Sequence, residues 1–221
     1  MLLGPQLLAH LVPARRLAER RGCLPTGIAP LDEILGGGWP QAALAELRGR
    51  RSSGRTAILY ASLARSIDAG QSVALIDSEG SLDPRFAAAA GIALPRLLWI
   101  RSTPELALKA TDLVVSAGGF TLVALDFGDL RPRAPSAAWI RLKHEATRQS
   151  TTILVASSAT AVGSFAAATV ELSTAEPRFE NLFGRGGDFD FNALRAQATC
   201  VRGKHFHEGT PCAWLAFSRH D

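Results

Sequence analysis

Cysteine is scarce in this 221-residue chain: Cys23, Cys200 and Cys212 are the only three, and no two share a CxxC spacing. An odd, scattered set cannot build a disulfide framework and fits thiols kept reduced in a cytosol. No apolar run is long enough to span a bilayer, so no membrane association is expected. The segment from Met1 to Val12, broken by Gly4, Pro5 and His10, lacks the basic head of a signal peptide. A cytoplasmic location is the expectation. No serine sits in a nucleophile-elbow glycine pattern, which removes hydrolases of that kind. Internal repeats are missing, and alanine richness is the sole compositional bias.

With 47% apolar residues, the chain can bury one substantial α/β core. A net charge of +4 permits an anionic partner such as DNA without requiring one. Two regions are expected, a basic N-terminal arm over 1–24 and a core domain over 25–221. In the arm, Leu7, Leu8, Leu11 and Leu17 could share a helical face while Arg15, Arg16, Arg20 and Arg21 cluster behind Pro13. Such a segment could dock a partner, touch DNA, or be a solvated terminus. The turn Pro25-Thr26-Gly27 opens the core.

The most informative stretch is Gly49-Arg50-Arg51-Ser52-Ser53-Gly54-Arg55-Thr56. It follows an apolar strand, Ala42 to Leu47, and precedes a helix, Ala57 to Ala69, that ends at Gly70. That is the setting of a phosphate-binding loop. Glycines at both ends let successive N–H groups and the positive end of the helix converge on a phosphate chain. Thr56 would offer its hydroxyl to Mg²⁺. Arginine, however, stands at position 55 where the motif has lysine. A guanidinium is a wide planar fork rather than a compact point charge, so binding without fast hydrolysis is the expected consequence.

Downstream, strands at Ser72 to Asp77, Leu97 to Arg101, Thr121 to Asp126 and Thr152 to Ala156 alternate with helices. The helices are Pro84 to Ala90, one that starts at Thr103-Pro104-Glu105 and runs to Gly118, and Ser136 to Gln149. The alternation predicts right-handed crossovers and a mainly parallel central sheet with flanking helices, with ligands at the carboxyl ends of the strands. Beyond residue 165 the pattern changes. Val170 to Ser173, Ala193 to Arg202 and Cys212 to Ser218 read as strands, the last two as an antiparallel hairpin, while Glu180 to Asn192 reads as a glycine-rich loop. Acids fall at strand ends. Asp126 could hold Mg²⁺ through water, Glu79 could orient an attacking water as general base, and Asp77 lies close by. Each of them could equally cap a loop.

Gly49 to Thr56 and the run Ile76-Asp77-Ser78-Glu79-Gly80-Ser81-Leu82-Asp83-Pro84 resemble the phosphate loop and acidic motif of bacterial RecA recombinases. Thr26-Gly27-Ile28, Leu31-Asp32, Gly36-Gly37-Gly38-Trp39-Pro40 and Leu97-Leu98-Trp99-Ile100-Arg101 are closer to the ImuA family, RecA-like accessory proteins of the bacterial mutasome. The likeness runs from about residue 25 to 218 and implies a RecA-like P-loop fold. It implies ATP with Mg²⁺ as cofactor, cradled by Gly49, Ser52, Ser53, Gly54, Arg55 and Thr56, with Asp126 and Thr56 on the metal side and Glu79 as catalytic glutamate. Asp83 would contact the adenine and Phe86 would stack on it, where RecA has a tyrosine. Arg202 and Lys204, in Val201-Arg202-Gly203-Lys204, match basic residues that reach a neighbouring subunit's nucleotide in RecA filaments; they also read as an exposed basic strand.

Where recombinases carry two long DNA-gripping loops, this chain has only Phe127 to Pro135 and a short alanine-rich link from Ser157 to Val170. The glutamine that couples nucleotide to the second loop has no counterpart, Ser157 and Ser158 taking that strand end, and no further domain is expected after Asp221. Strand exchange would lack its principal contacts. Cys200, His205, His207 and Cys212 are zinc-ligand types, but strand parity puts Cys200 opposite the histidines unless a bulge intervenes, so no zinc is expected. Trp39, Trp99, Trp139 and Trp214 read as packing residues.

The resemblance implies an adaptor of error-prone translesion synthesis in the SOS response to DNA damage, with little or no ATPase activity. Its partners would be an inactive Y-family-like polymerase subunit and an error-prone replicative-type polymerase, with RecA as a further candidate. Weak DNA contacts could come from Arg131, Arg133 and the arm. The alternative is a DNA-dependent ATPase of the RecA or RadA kind acting in DNA repair; a KaiC-like signalling module is a third.

Overall fold

The computed structural model describes residues 22–130, 134–173, 176–181, 189–203 and 212–218. The N-terminal arm up to residue 21, Arg131, Arg133, Lys204, His205 and His207 lie outside these residues. Cys23 and Leu24, placed with the arm on sequence grounds, form strand β1 (Cys23–Leu24), which pairs antiparallel with β2 (Trp39–Pro40). Between them lies a short helix, α1 (Ala29–Leu35), with proline in its first turn. Sequence periodicity did not reveal it, being too short to show a repeat. Asp32 of α1 accepts a hydrogen bond from the Thr26 N–H at 2.8 Å, tying the helix to the turn that opens the core.

The core elements follow in alternation: β3 (Leu44–Arg48), α2 (Arg55–Asp68), β4 (Val73–Asp77), α3 (Pro84–Ala89), β5 (Leu97–Arg101), α4 (Pro104–Ala117), β6 (Leu122–Asp126), α5 (Ser136–Arg148) and β7 (Thr152–Ser157). Then come β8 (Ala168–Leu172), β9 (Glu176–Asn181), β10 (Phe189–Arg202) and β11 (Cys212–Ser218). Among the described residues one sheet runs in the order β11-β10-β8-β3-β7-β6-β4-β5, with β9 paired to β10. From β8 to β5 every pairing is parallel, and β10 joins β8, β9 and β11 antiparallel. The expected hairpin is therefore present. The expected loop from Glu180 to Asn192 is not one throughout: Asn181 pairs with Phe189 and Glu180 with Asp190, because alternating Phe189, Asp190 and Phe191 suit a strand despite the glycines nearby.

Period-two alternation along the parallel strands builds two apolar layers. Ala45, Leu47, Leu75, Ala124 and Leu154 face α2, whose Ile58, Leu59, Leu63 and Ile67 are buried; Trp39 joins this layer, its indole N–H donating to Ser62 Oγ at 3.0 Å. Leu44, Ala74, Ile76, Val123, Leu125 and Ile153 face the opposite way, against Val115 of α4 and Trp139 and Leu142 of α5. No helix among the described residues is long and apolar enough to cross a membrane.

The crossover from β7 to β8 carries no α-helix. It passes over β3, and Glu46, fully buried in that strand, accepts hydrogen bonds from the N–H groups of Ala161 at 2.6 Å, Val162 at 2.9 Å and Gly163 at 3.3 Å. Arg48 completes the clamp, 3.5 Å from Glu46 and donating to Thr160 Oγ1 at 2.8 Å.

Candidate functional site

The carboxyl ends of β3, β7, β6 and β4 lie side by side, and register places Asp77 opposite Asp126. Gly49 leaves the sheet with its N–H still on the Ser157 carbonyl at 3.1 Å. The loop then curls with Ser52 at φ 61° and the Ser53 N–H on the Arg50 carbonyl at 3.1 Å. A Cβ on Gly49 would fall 2.2 Å from Ser53 Oγ, so any larger residue there would force Ser53 to move. Gly54 caps α2 without a side-chain hydrogen bond, and the first intrahelical bond is Ile58 N–H to the Gly54 carbonyl at 3.0 Å. The N–H groups of Arg55, Thr56 and Ala57 thus have no partner within the helix and front a cleft of about 330 Å³. Arg51, Ser52, Thr56, Glu79, Asp126 and Asp129 are among its lining residues. Loop, threonine, catalytic candidate and strand-end acid are brought together as their order in the sequence suggests.

In and beside the cleft the carboxylates differ in what holds them. Asp126 is nearly buried and accepts the Gly128 N–H at 2.8 Å. Burial pushes its pKa up; the Gly128 hydrogen bond and the Arg55 charge oppose this, and the charges of Asp77 and Glu79 add to it. Asp77 is committed to structure: it accepts from the N–H groups of Ser81 at 3.0 Å and Leu82 at 3.1 Å and from the Trp99 indole at 3.3 Å, which shapes the turn carrying Glu79. Glu79 accepts the Asp129 N–H at 3.4 Å and lies 4.0 Å from Arg51. It packs so closely over Gly128, at φ +57°, that a Cβ there would meet Glu79 Oε2 at 1.8 Å.

Arg55 is turned into the loop it belongs to. Only 8% exposed, its guanidinium donates to the Gly49 carbonyl at 2.5 Å and stands 3.6 Å from Asp129 Oδ1, while its Nε, also buried, has no hydrogen-bond partner. Ser53 Oγ is likewise buried without one. One residue of this site and one buried beside its carboxylates were missed on sequence. Asp129 lies three positions beyond Asp126, inside the link that replaces a long loop, and nothing but that offset hinted at it. Tyr60, one turn beyond Thr56, has its pKa pushed up to about 12 by burial and then by Asp126, Asp77 and Asp83.

The remaining candidates sit elsewhere. Asp83 caps α3, accepting from the N–H groups of Arg85 at 2.8 Å and Phe86 at 3.4 Å, and Phe86 is 64% exposed; neither lines the phosphate cleft. Arg202 donates to the carbonyls of Ser164 at 2.6 Å and Ala166 at 3.3 Å of its own chain. A bulge does occur between Cys200 and Arg202, and Cys200 is buried with its Sγ 3.1 Å from the Arg202 carbonyl, its pKa raised by that burial. Among the described residues no three His, Cys, Asp or Glu side chains gather as a metal-binding group. Trp39 and Trp139 are core residues, and Trp99 carries the Arg101 guanidinium 5.8 Å from its ring centre.

A glycine-ended loop between a parallel strand and a helix, beside a strand-end aspartate in an all-parallel segment, defines the P-loop α/β class. The RecA N-terminal domain family matches residues 14–151, and the chain belongs to that family. It is similar to Protein RecA of Francisella tularensis subsp. novicida (strain U112), 34% identical over 137 residues, which is 61% of this chain and 36% of that protein. The same identity and coverage hold for Protein RecA of subsp. holarctica (strain LVS) and of subsp. tularensis (strain SCHU S4 / Schu 4). The matched stretch therefore spans about a third of these curated relatives, 36% of their length. The family match takes in the phosphate loop, Glu79 and Asp126 and stops where β7 begins.

Proposed function

We propose that this protein acts in DNA repair as a RecA-type, DNA-responsive nucleotide-binding module with slow ATP turnover. The single observation that carries this reading is the convergence of the open α2 N-terminus, Thr56, Glu79 and Asp126 on one cleft. The residues fit ATP with Mg²⁺. A Cβ at Gly49 would crowd Ser53 Oγ, and Arg55, which lines the cleft, keeps an Nε–H without a partner. Mg²⁺, when bound, would neutralise charge on the phosphates. Ser52, Gly54 and the N–H groups opening α2 would hold the phosphates, Thr56 and Asp126 would hold the metal, and Glu79 would orient a water. The similarity to RecA proteins supports assigning the work to DNA. The test is steady-state ATP turnover with and without single-stranded DNA. Turnover is expected to be slow, raised by DNA, and reduced about 10²- to 10⁴-fold by Glu79→Gln. Turnover indifferent to that substitution would refute the assignment.

A second reading is favoured by the inward Arg55 and by the crossover clamped on Glu46. A weak nucleotide site and a rigid second link suit an adaptor of translesion synthesis rather than a motor. Such an adaptor would bind an inactive polymerase-like subunit and an error-prone polymerase. A pulldown recovering those polymerases, together with no DNA-stimulated turnover, selects this reading.

A further inference from the structure

Arg51 and Arg55 flank one carboxylate. Asp129 Oδ2 accepts from Arg51 Nε at 3.0 Å, and Oδ1 stands 3.6 Å from Arg55 Nη2. Asp129 sits on a turn that cannot drift: Asp126 holds Gly128, the Ser158 N–H donates to the Gly128 carbonyl at 3.1 Å and the Ser158 hydroxyl to the Asp129 carbonyl at 3.3 Å. The cleft is lined by three arginines, Arg50, Arg51 and Arg55, against three carboxylates, Glu79, Asp126 and Asp129. Its charge is balanced before any phosphate arrives.

The balance at Arg55 is incomplete. Asp129 Oδ1 is buried and makes no hydrogen bond, and Arg55 Nε, also buried, is unpaired. At 3.6 Å the two groups attract through charge alone, without the directed bonds that a carboxylate and guanidinium form when free to meet edge to edge. A phosphate carries more oxygens and can approach from the open side of the cleft, so it satisfies this guanidinium better than Asp129 does.

We propose that Asp129 is an internal counter-anion of the phosphate loop. It holds Arg51 and Arg55 in the ligand-free protein, and a polyphosphate must displace it before the arginines engage. This rests on the nucleotide reading given above. The side chain has room to leave, being about one third exposed at 36%, and Arg51, 78% exposed, can swing with it. No bond is made or broken; an ion pair is exchanged for another anion. Asp129 therefore sets affinity by competing with phosphate, and its removal lowers the barrier to binding without adding a contact.

The experiment is calorimetric titration of the full chain with Mg²⁺ and a slowly hydrolysed ATP analogue, and separately with tripolyphosphate. The proteins compared are wild type, Asp129→Asn and Asp129→Ala, each checked for folding by thermal melting. Both variants are expected to bind both probes about tenfold more tightly, since the competing conformation is gone, with adenosine unaffected. In the wild type, tripolyphosphate should shift the Asp129 carboxyl carbon resonance, a readout that needs no variant. If the wild type binds and neither variant gains, or the resonance stays put at saturation, the counter-anion role is wrong while the nucleotide reading stands. If no protein binds either probe, both fall.

Discussion

Two charges are buried near the carboxyl end of β3, and the protein treats them in opposite ways. Glu46, with no exposed surface, has three backbone N–H donors and Arg48 around it. Arg55 has one good hydrogen bond, to Gly49, a loose ion pair with Asp129 and an orphaned Nε. A satisfied buried charge fastens one element to another, here the crossover to the strand before the phosphate loop. An under-satisfied one forgoes stability, and here it belongs to a residue that lines the phosphate cleft, whereas the unpaired Nε of Arg48 sits against Glu46 away from that cleft.

Substitution should separate the two most sharply at Glu46. Glu46→Ala strands one buried and two part-buried N–H groups and a partly buried arginine, and urea unfolding should show a loss of about 3–5 kcal/mol. Arg55→Met, by contrast, removes a loosely paired charge whose partner Asp129 is about one third exposed and keeps Arg51, so the loss should be smaller, about 1–2 kcal/mol for the hydrogen bond to Gly49, while binding of the ATP analogue is lost. Equal destabilisation by the two changes would erase the distinction between clamp and site.

Asp126 offers a pH-resolved version. Burial raises its pKa above the ordinary 3.8, so its protonated form is favoured by folding. The stability this brings is complete below 3.8 and is lost as pH rises through the raised folded value. Asp126→Asn keeps an acceptor for the Gly128 N–H and removes the ionisation. Urea midpoints measured across pH should show that step in the wild type and not in the variant. The smallest effect belongs to a surface pair outside both regions. Arg141 donates to Asp112 at 2.9 Å and 2.6 Å, but the arginine is largely exposed, so Arg141→Ala should change stability by no more than about 1 kcal/mol.

Most of the sheet was legible because its central strands are continuous apolar runs bounded by turn residues, the mark of strands buried on both faces, as Val73–Asp77 and Leu122–Asp126 are; the edge strand Leu97–Arg101, partly exposed, matched to the residue all the same. Helix α1 escaped notice, being seven residues long with a proline in its first turn. Glycines near 184–187 disguised the pairing of β9 with β10. At the site, Thr56, Glu79 and Asp126 could be named from spacing alone, because a loop followed by acids at strand ends can meet only at the carboxyl edge of a parallel sheet. Asp129 could not, nor, outside the cleft, could Tyr60 and Glu46. Each acts on a partner far along the chain or through burial, and neither leaves a local pattern.

Residue order alone thus determined the parallel sheet, the glycine-ended phosphate loop and the arginine in the lysine's place, since these follow from periodicity, chain geometry and side-chain chemistry over a few residues. Only the tertiary structure decided where that arginine's charge goes. Whether a guanidinium reaches outward for a ligand or inward to Gly49 and Asp129 depends on which groups 74 positions away in the chain arrive beside it, and on how much water folding leaves between them.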